Sequence, residues 1–284
     1  FSRKINEKGN WNLSLDEIEE TARRLPDDIR ELHIVGGVHP DHDIHYYGTM
    51  IKRIRELRPE IHIKAFTAIE LDYMIRKAGL EIGEGLEILK QYGLDSIPGG
   101  GAEIFAKDVR LQLCSKKSTA ELWLGIHEAA HKAGIPSNAT MLYGHIENYG
   151  HRIDHLLQLR NLQDKTGMFN AFIPLKYRKK NNSLSHIGET PLLDDIKTFA
   201  ISRIFLDNIP HIKAYWPMIG KENAALLLSF GADDLDGTIS DSTRIYSMAG
   251  AEEQKPSMTI DEITGLIKRS GFLPVERDGL YNVV

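Results

Sequence analysis

Cysteine is all but missing from this sequence. Cys114 stands alone among 284 residues, which excludes an internal disulfide framework and, by itself, a cysteine-rich metal site. Long apolar runs are missing as well: stretches such as Ala224 to Phe230 fall far short of the roughly 20 residues that span a bilayer. No basic leader followed by an apolar segment opens the chain, so it is read as cytoplasmic, with no membrane partner. Excess positive charge is lacking too. A formal net charge of −5 with 12 histidines gives no basic field of the kind nucleic-acid binders carry. Even an initiating Met is absent before Phe1, which suggests a sequence cut at its front. What is present, 42% hydrophobic and 26% charged residues, suits a globular protein that handles small molecules.

Short β-like runs alternate with longer segments of helical period, the pattern of βα units around a parallel sheet. Seven strands are predicted: Glu31 to Val35, Ile61 to Phe66, Asp95 to Ile97, Asn138 to Leu142, Asn170 to Ile173, Ile209 to Tyr215 and Leu226 to Phe230. Apolar residues at i, i+3, i+4 predict helices over Tyr46 to Leu57, Gly83 to Tyr92, Ala120 to Ala133, His151 to Lys165 and Leu193 to Leu206. Ser14 and Glu17 form a capping box opening a helix to about Leu25, and Gly134 before Pro136 stops another. Seven strands with helices between them fit an α/β fold, a (β/α)8 TIM-type barrel whose first strand would precede Phe1. A doubly wound sheet is the alternative. No linker or repeat divides the chain, so residues 1–284 are read as one domain, with 239–284 as a C-terminal extension packing on the barrel.

A barrel places its chemistry in the loops that leave the C-terminal ends of the strands. Those loops are polar and rich in glycine: VGGVHPD from Val35, TAIE from Thr67, PGGGAE from Pro98, YGHIE from Tyr143, PLKYR from Pro174, WPM from Trp216 and GADDLDGT from Gly231. Segments leading into the strands, such as Arg58-Pro-Glu60, are plain. One functional face would produce that asymmetry.

A separate motif competes with it. His127-Glu128-Ala129-Ala130-His131 fits H-E-x-x-H, in which two imidazoles one helical turn apart share Zn²⁺ and the glutamate serves as base. Its helix feeds the strand at Asn138, which places these side chains toward the N-terminal end of that strand, opposite the loops above. The expectation is packed or solvated histidines; a zinc hydrolase is the different-class alternative, and a nonenzymatic nucleoside-binding barrel a third.

Taken together, VGGVHPD, KAFTAIE, PGGGAEIF, SNATMLYGHIE, AFIPL and SFGADDLDGT resemble the radical S-adenosylmethionine (SAM) enzymes of the futalosine route to menaquinone, siblings of the deazaflavin FO synthase, over nearly the whole chain. The resemblance implies a transferase with a [4Fe-4S] cluster on a C-x-x-x-C-x-x-C loop, and SAM as co-substrate. Its deoxyadenosyl radical adds to the enol ether 3-[(1-carboxyvinyl)oxy]benzoate, forming aminodeoxyfutalosine with loss of the carboxyl carbon. A sibling cyclase acting on dehypoxanthine futalosine is the near alternative. Flavodoxin or ferredoxin would be the electron donor. The three cluster cysteines are absent from this sequence, and Phe1 to Lys4 resembles the segment that follows them; the fragment is therefore expected to be inactive, with no metal ligand of its own.

The resemblance also implies residue roles, each beside a plainer one. Gly36 and Gly37 would hold the methionyl amino group, with His39 and Asp41 beside them; the plain reading is a tight turn. Thr140, Leu142, Gly144 and Glu147 match the G-x-I-x-G-x-x-E pattern, with Thr in place of the first glycine, and Ile173 and Pro174, after Phe172, would run along the adenine edge; barrel core is the alternative. Glu70 and Glu103 lie past strand ends, where a carboxylate can hold ribose hydroxyls or order substrate, and Glu103 also reads as a first-turn acid at an anion-binding helix N-terminus. The substrate's two carboxylates call for cations or donors: His145, Lys176, Arg178 and Lys213 are candidates, with Tyr143 beside them. His145 is the candidate for proton transfer. Asp233, Asp234 and Asp236 could order water or ribose, or form a solvated acidic turn. Lys176 to Lys180 reads as a mobile active-site loop, since no aromatic stacking series accompanies it.

Overall fold

The computed structural model describes residues 11–114, 118–182, 184–239, 248–251 and 256–284. Strands are separated by helices as predicted, except that the strand expected at Asp95 to Ile97 is present only as isolated bridges, so four helices among the described residues lie between the strands His62–Ala65 and Ser137–Tyr143. Phe1 to Lys4 and Ser183 lie outside the described residues. The chain divides into two compact units. One holds Phe1–Pro98, Gly125–Ser137 and Arg277–Val284, the other Gly99–Leu124 and Asn138–Glu276.

In the first unit, α1 (Leu15–Arg23) opens on the predicted capping box: the Glu17 amide donates to Ser14 Oγ at 3.3 Å and the Ser14 amide to Glu17 Oε2 at 2.8 Å. Such a box satisfies two amides that the first helical turn leaves without partners. Strand β1 (Glu31–Ile34) runs parallel to β2 (His62–Ala65), in register from Glu31↔His62 to Ile34↔Ala65. Between them α2 (Ile44–Leu57) buries Ile44, Ile51 and Ile54, an apolar stripe of helical spacing. Helices α3 (Ala68–Lys77) and α4 (Ile82–Gln91) follow. Parallel bridges Lys64↔Ser96 and Ile97↔Ser137 extend the ladder.

Helix α5 (Lys107–Cys114) belongs to the second unit, whereas α6 (Ala120–Lys132) and β3 (Ser137–Tyr143) have residues in both. Strands β3, β4 (Phe169–Lys176) and β5 (His211–Ile212) form a sheet in that order, with β4 and β5 parallel and Ala171 opposite His211. The crossovers are α7 (Tyr149–Thr166) and α8 (Leu192–Phe205). Next come α9 (Trp216–Ile219), α10 (Lys221–Leu227) and α11 (Ile260–Arg269). A core of Phe199, Ile212, Trp216, Leu227, Met258 and Leu266 holds these pieces together, each large apolar side chain contributing about 2 kcal/mol.

Several predicted boundaries are corrected. Leu226 to Phe230 is not a strand: α10 runs to Leu227 and a 3-10 turn covers Leu228–Phe230. Lys221 to Leu227 is rich in strong helix formers, and Ala224, Leu227 and Leu228 are buried at i, i+3, i+4. So short an apolar run does not separate strand from helix by periodicity. The strand position falls instead at Asp234, bridged to Lys213, so Asp234 lies within the last ladder rather than past it. Ile209 to Tyr215 contracts to β5 with that bridge. Pro174 lies inside β4, not in the loop after it, and Thr67 and Trp216 open helices rather than loops.

Candidate active site

In the first unit the loop after β1 carries Gly36 and Gly37, both exposed. A Cβ on Gly37 would meet nothing within 4 Å, and one on Gly36 would touch Glu70 Oε1 at 3.8 Å. The chain's own packing therefore makes no demand for glycine at either position, whereas close approach of a ligand to the backbone would. The Gly36 amide donates to Glu70 Oε1 at 2.7 Å; Glu70 Oε2 accepts from the Thr67 amide at 2.8 Å and the Thr67 hydroxyl at 2.6 Å. Burial pushes the Glu70 carboxyl up to about 7, against the pull of Thr67 and Gly36. Phe66, just before, holds φ 58°. His39 accepts the Asp41 amide at 3.2 Å and stacks at 4.0 Å on His42, which stacks at 3.6 Å on Tyr46.

In the second unit the turn after β3 folds around Glu147. Its carboxylate accepts the Gly144 amide at 2.6 Å, the His145 amide at 2.8 Å and Arg152 Nε at 2.8 Å. Gly144 has φ 88°, and a Cβ there would lie 1.9 Å from Thr190 Oγ1, so glycine is required twice over. His145 Nε2 donates to the Leu142 carbonyl at 3.0 Å, leaving Nδ1 3.1 Å from Glu147 Oε2 without hydrogen-bond geometry. Burial holds the His145 pKa below its ordinary value, although Glu147 raises it. For Glu147 burial acts upward, yet His145, the Gly144 amide and Arg152 outweigh it and hold the carboxyl low. Arg152 also donates to Thr198 Oγ1 at 2.8 Å and Asp194 at 3.0 Å, and lies over the Tyr143 and Tyr149 rings.

Tyr143 is fully buried, and its hydroxyl donates to Asp195 Oδ1 at 2.8 Å; Lys176 Nζ holds Asp195 Oδ2 at 2.7 Å. Tyr143, expected beside the substrate, has its hydroxyl engaged by Asp195. Burial, then Asp195, pushes the Tyr143 pKa well above its ordinary value.

Thr140 donates its hydroxyl to the Gly99 carbonyl at 2.6 Å, and a Cβ on Gly99 would lie 2.6 Å from the Asn138 carbonyl. That close approach explains the first of the three glycines. Glu103 does not open a helix: α5 begins at Lys107, and Glu103 has φ 48° with its carbonyl accepting the Leu142 amide at 2.7 Å. The anion-binding helix N-terminus is corrected accordingly. Buried Arg110 gathers the carbonyls of Gly101, Ala102, Ile104 and Ser118.

The other expected cations already have partners. Arg178 donates to the Met218 carbonyl from Nε at 3.1 Å and lies 3.6 Å from Glu189. Lys213 pairs with Asp236, which has φ 77°, and is 4.0 Å from Asp234. Asp233 accepts from the Ile212 amide at 2.7 Å and pairs with His211 at 2.8 Å, which ties it to the strand end. Ile173 is half-buried and Pro174 buried, both within β4.

The zinc motif resolves as packing. His127 Nδ1 and His131 Nε2 both lie 2.8 Å from Ser137 Oγ, at the first residue of β3. Both rings are buried, which lowers both pKa values, His131 to about 4. Glu128 pairs with Lys132 at 2.6 Å. Among the described residues no group of three His, Cys, Asp or Glu is placed to hold a metal ion.

Residues 1–159 match the model of the radical SAM superfamily, and residues 166–284 match the CofH/MqnC C-terminal region. The chain belongs to the radical SAM superfamily. An aminodeoxyfutalosine synthase of Thermus thermophilus is 42% identical over all of this chain and 77% of its own length. A Methanocaldococcus jannaschii 5-amino-6-(D-ribitylamino)uracil–L-tyrosine 4-hydroxyphenyl transferase is 38% identical, over 100% of this chain and 81% of its own. The radical SAM α/β fold is shared with methylornithine synthase, at a TM-score of 0.68 and 15% identity over 95% of this chain and 76% of that one. The chain is an enzyme of the radical SAM class.

The [4Fe-4S] cluster implied by the radical SAM family needs several cysteine thiolates, and Cys114, at the end of α5, is the one cysteine in the sequence. These 284 residues do not furnish that ligand set. SAM fits better: the open glycines of the β1 loop in the first unit suit a polar ligand that approaches the backbone. Sequence reasoning missed Arg152, Asp195 and His155. The first two carry a readable signal, an arginine in the first turn after the Glu147 loop and an acidic pair, Asp194-Asp195, at the next helix start. His155 carries none, since its role depends on a fold contact with Phe105.

Proposed function

We propose that this radical SAM enzyme catalyses the aminodeoxyfutalosine synthase reaction, joining the deoxyadenosyl moiety of SAM to 3-[(1-carboxyvinyl)oxy]benzoate with loss of the carboxyl carbon. The observation that carries the reading is the 42% identity with the Thermus synthase in an alignment that covers 100% of this chain. In this superfamily one-electron reduction of SAM at a four-iron cluster supplies the radical, with flavodoxin or ferredoxin as the proposed donor.

The chain's own residues bind and orient. Gly36 and Gly37, with His39, receive the methionyl end of SAM. In the second unit, Glu147 fixes the Gly144 and His145 amides after the strand that carries Thr140 and Leu142. His145, kept neutral by burial, handles a proton. Lys213 is already neutralised by Asp236, so Arg178 is the cation for a substrate carboxylate, with Glu103 ordering its surroundings.

The test uses protein expressed from the full reading frame, reconstituted anaerobically with iron and sulfide and reduced. SAM and the enol ether are expected to give aminodeoxyfutalosine by mass spectrometry, dependent on both substrates. The match to the Methanocaldococcus transferase supports a second reading, so tyrosine with 5-amino-6-(D-ribitylamino)uracil forms a parallel arm, and dehypoxanthine futalosine a third for the sibling cyclase. Efficient turnover in either of those arms, with none in the first, would reassign the enzyme.

A further inference from the structure

We propose that Glu70 is a positioning residue, clamping the Gly36 amide so that the Gly36-Gly37 turn presents a fixed backbone to the methionyl end of SAM; this rests on the SAM-dependent reading above. Glutamate at the third position of a helix needs one oxygen for its capping box. Glu17, Glu84 and Glu262 make that same box in α1, α4 and α11, and all three are exposed. Glu70 alone of these four is buried, and its second oxygen reaches 34 residues back along the chain to Gly36. Three donors on two oxygens leave the carboxylate engaged within the protein, so direct contact with a ribose hydroxyl is not its part.

The backbone leads to the same conclusion. β1 and β2 pair in register to Ile34↔Ala65, so both loops leave the same end of this strand pair. Phe66 then takes φ 58°, which a bulky residue adopts only where its surroundings enforce it. Its ring is buried and packs edge-on to Tyr47 at 5.3 Å. That turn starts α3 directly after the strand and brings Glu70 over the β1 loop. Above about pH 7, where Glu70 is ionised, a carboxylate fixes an amide more firmly than a neutral acceptor does, and the bond restrains an exposed Gly36-Gly37 segment that is otherwise open at Gly37.

The experiment compares full-length, cluster-loaded wild type with Glu70→Gln and Thr67→Ala. Thr67→Ala removes the hydroxyl side of the cap and leaves the Gly36 bond, which controls for helix stability. Hydrogen exchange at the Gly36 amide in ligand-free protein, SAM affinity by equilibrium dialysis, and kcat against KM are read. Glu70→Gln is expected to speed Gly36 exchange and weaken SAM binding, each about ten-fold, with kcat at saturating SAM within about three-fold of wild type. Thr67→Ala is expected to lower the melting temperature while Gly36 exchange and SAM affinity stay near wild type. Unchanged Gly36 exchange or SAM affinity in Glu70→Gln, or equal losses in Thr67→Ala, would overturn the inference alone. Failure of wild type to bind SAM would overturn it together with the function.

Discussion

His155 is expected to make this protein sensitive to mild acid. The ring is fully buried; Nε2 donates to the Thr140 carbonyl at 2.9 Å, Nδ1 accepts the Phe105 amide at 3.2 Å, and the imidazole stacks on the Phe105 ring at 3.8 Å. Both nitrogens are thereby assigned, and the one site left for a proton is the nitrogen that must accept. Burial pushes its pKa down to about 3, with the Thr140 carbonyl pulling the other way. Because the folded value lies below the unfolded one, the stabilisation is complete above about pH 6.5 and is lost as pH falls toward 3. At pH 5 the unfolded ring is mostly charged and the folded ring is not, which costs about 2 kcal/mol relative to pH 8. Urea unfolding followed by tryptophan fluorescence at pH 8 and pH 5 measures this. His155→Gln lowers stability at both pH values but narrows the gap between them by about 2 kcal/mol. An unchanged gap would refute the reasoning, since the proton would then be taken up elsewhere.

Gly144→Ala combines a left-handed backbone with a clash on Thr190 and is expected to cost at least about 2 kcal/mol; adding Thr190→Ala recovers the clash but not the backbone part, as thermal melts would show. Tyr143→Phe removes the donor to Asp195 and is expected to cost about 1–2 kcal/mol in chemical denaturation, while the Lys176 pair keeps Asp195 from standing alone. Glu128→Gln, in the H-E-x-x-H stretch, loses a surface pair with Lys132 worth about 0.5 kcal/mol. Turnover of the full-length enzyme is expected to stay within about two-fold of wild type, and a hundred-fold loss would restore the zinc-hydrolase alternative.

Much of the βα order was legible because amphipathic helices announce themselves: the stripe Ile44, Ile51, Ile54 and the Ser14 box are local facts that packing did not override. Leu226 to Phe230 was not legible, since a five-residue apolar run has no period to read. Around the site, the sequence marked Gly36, Gly144 and Glu147 through motif spacing, and each lies in the loop that follows a strand. It did not disclose that Arg178 and Lys213 would find partners within the fold, because Met218 and Asp236 reach them only through tertiary structure. The same holds for Arg110, whose four carbonyl partners organise the PGGGAE loop without leaving a pattern in the sequence.

Phe66, Glu103 and Asp236, with their positive φ, have a bearing on how this protein can evolve. A left-handed backbone costs an L-residue about 1–2 kcal/mol, and glycine adopts it freely. Glycine at Glu103 would relieve that backbone cost, whereas glycine at Asp236 would also remove the carboxylate that pairs with buried Lys213, a loss larger than the backbone gain. At Asp236 the backbone and the ion pair thus pull in opposite directions, so the position tolerates little change of either kind.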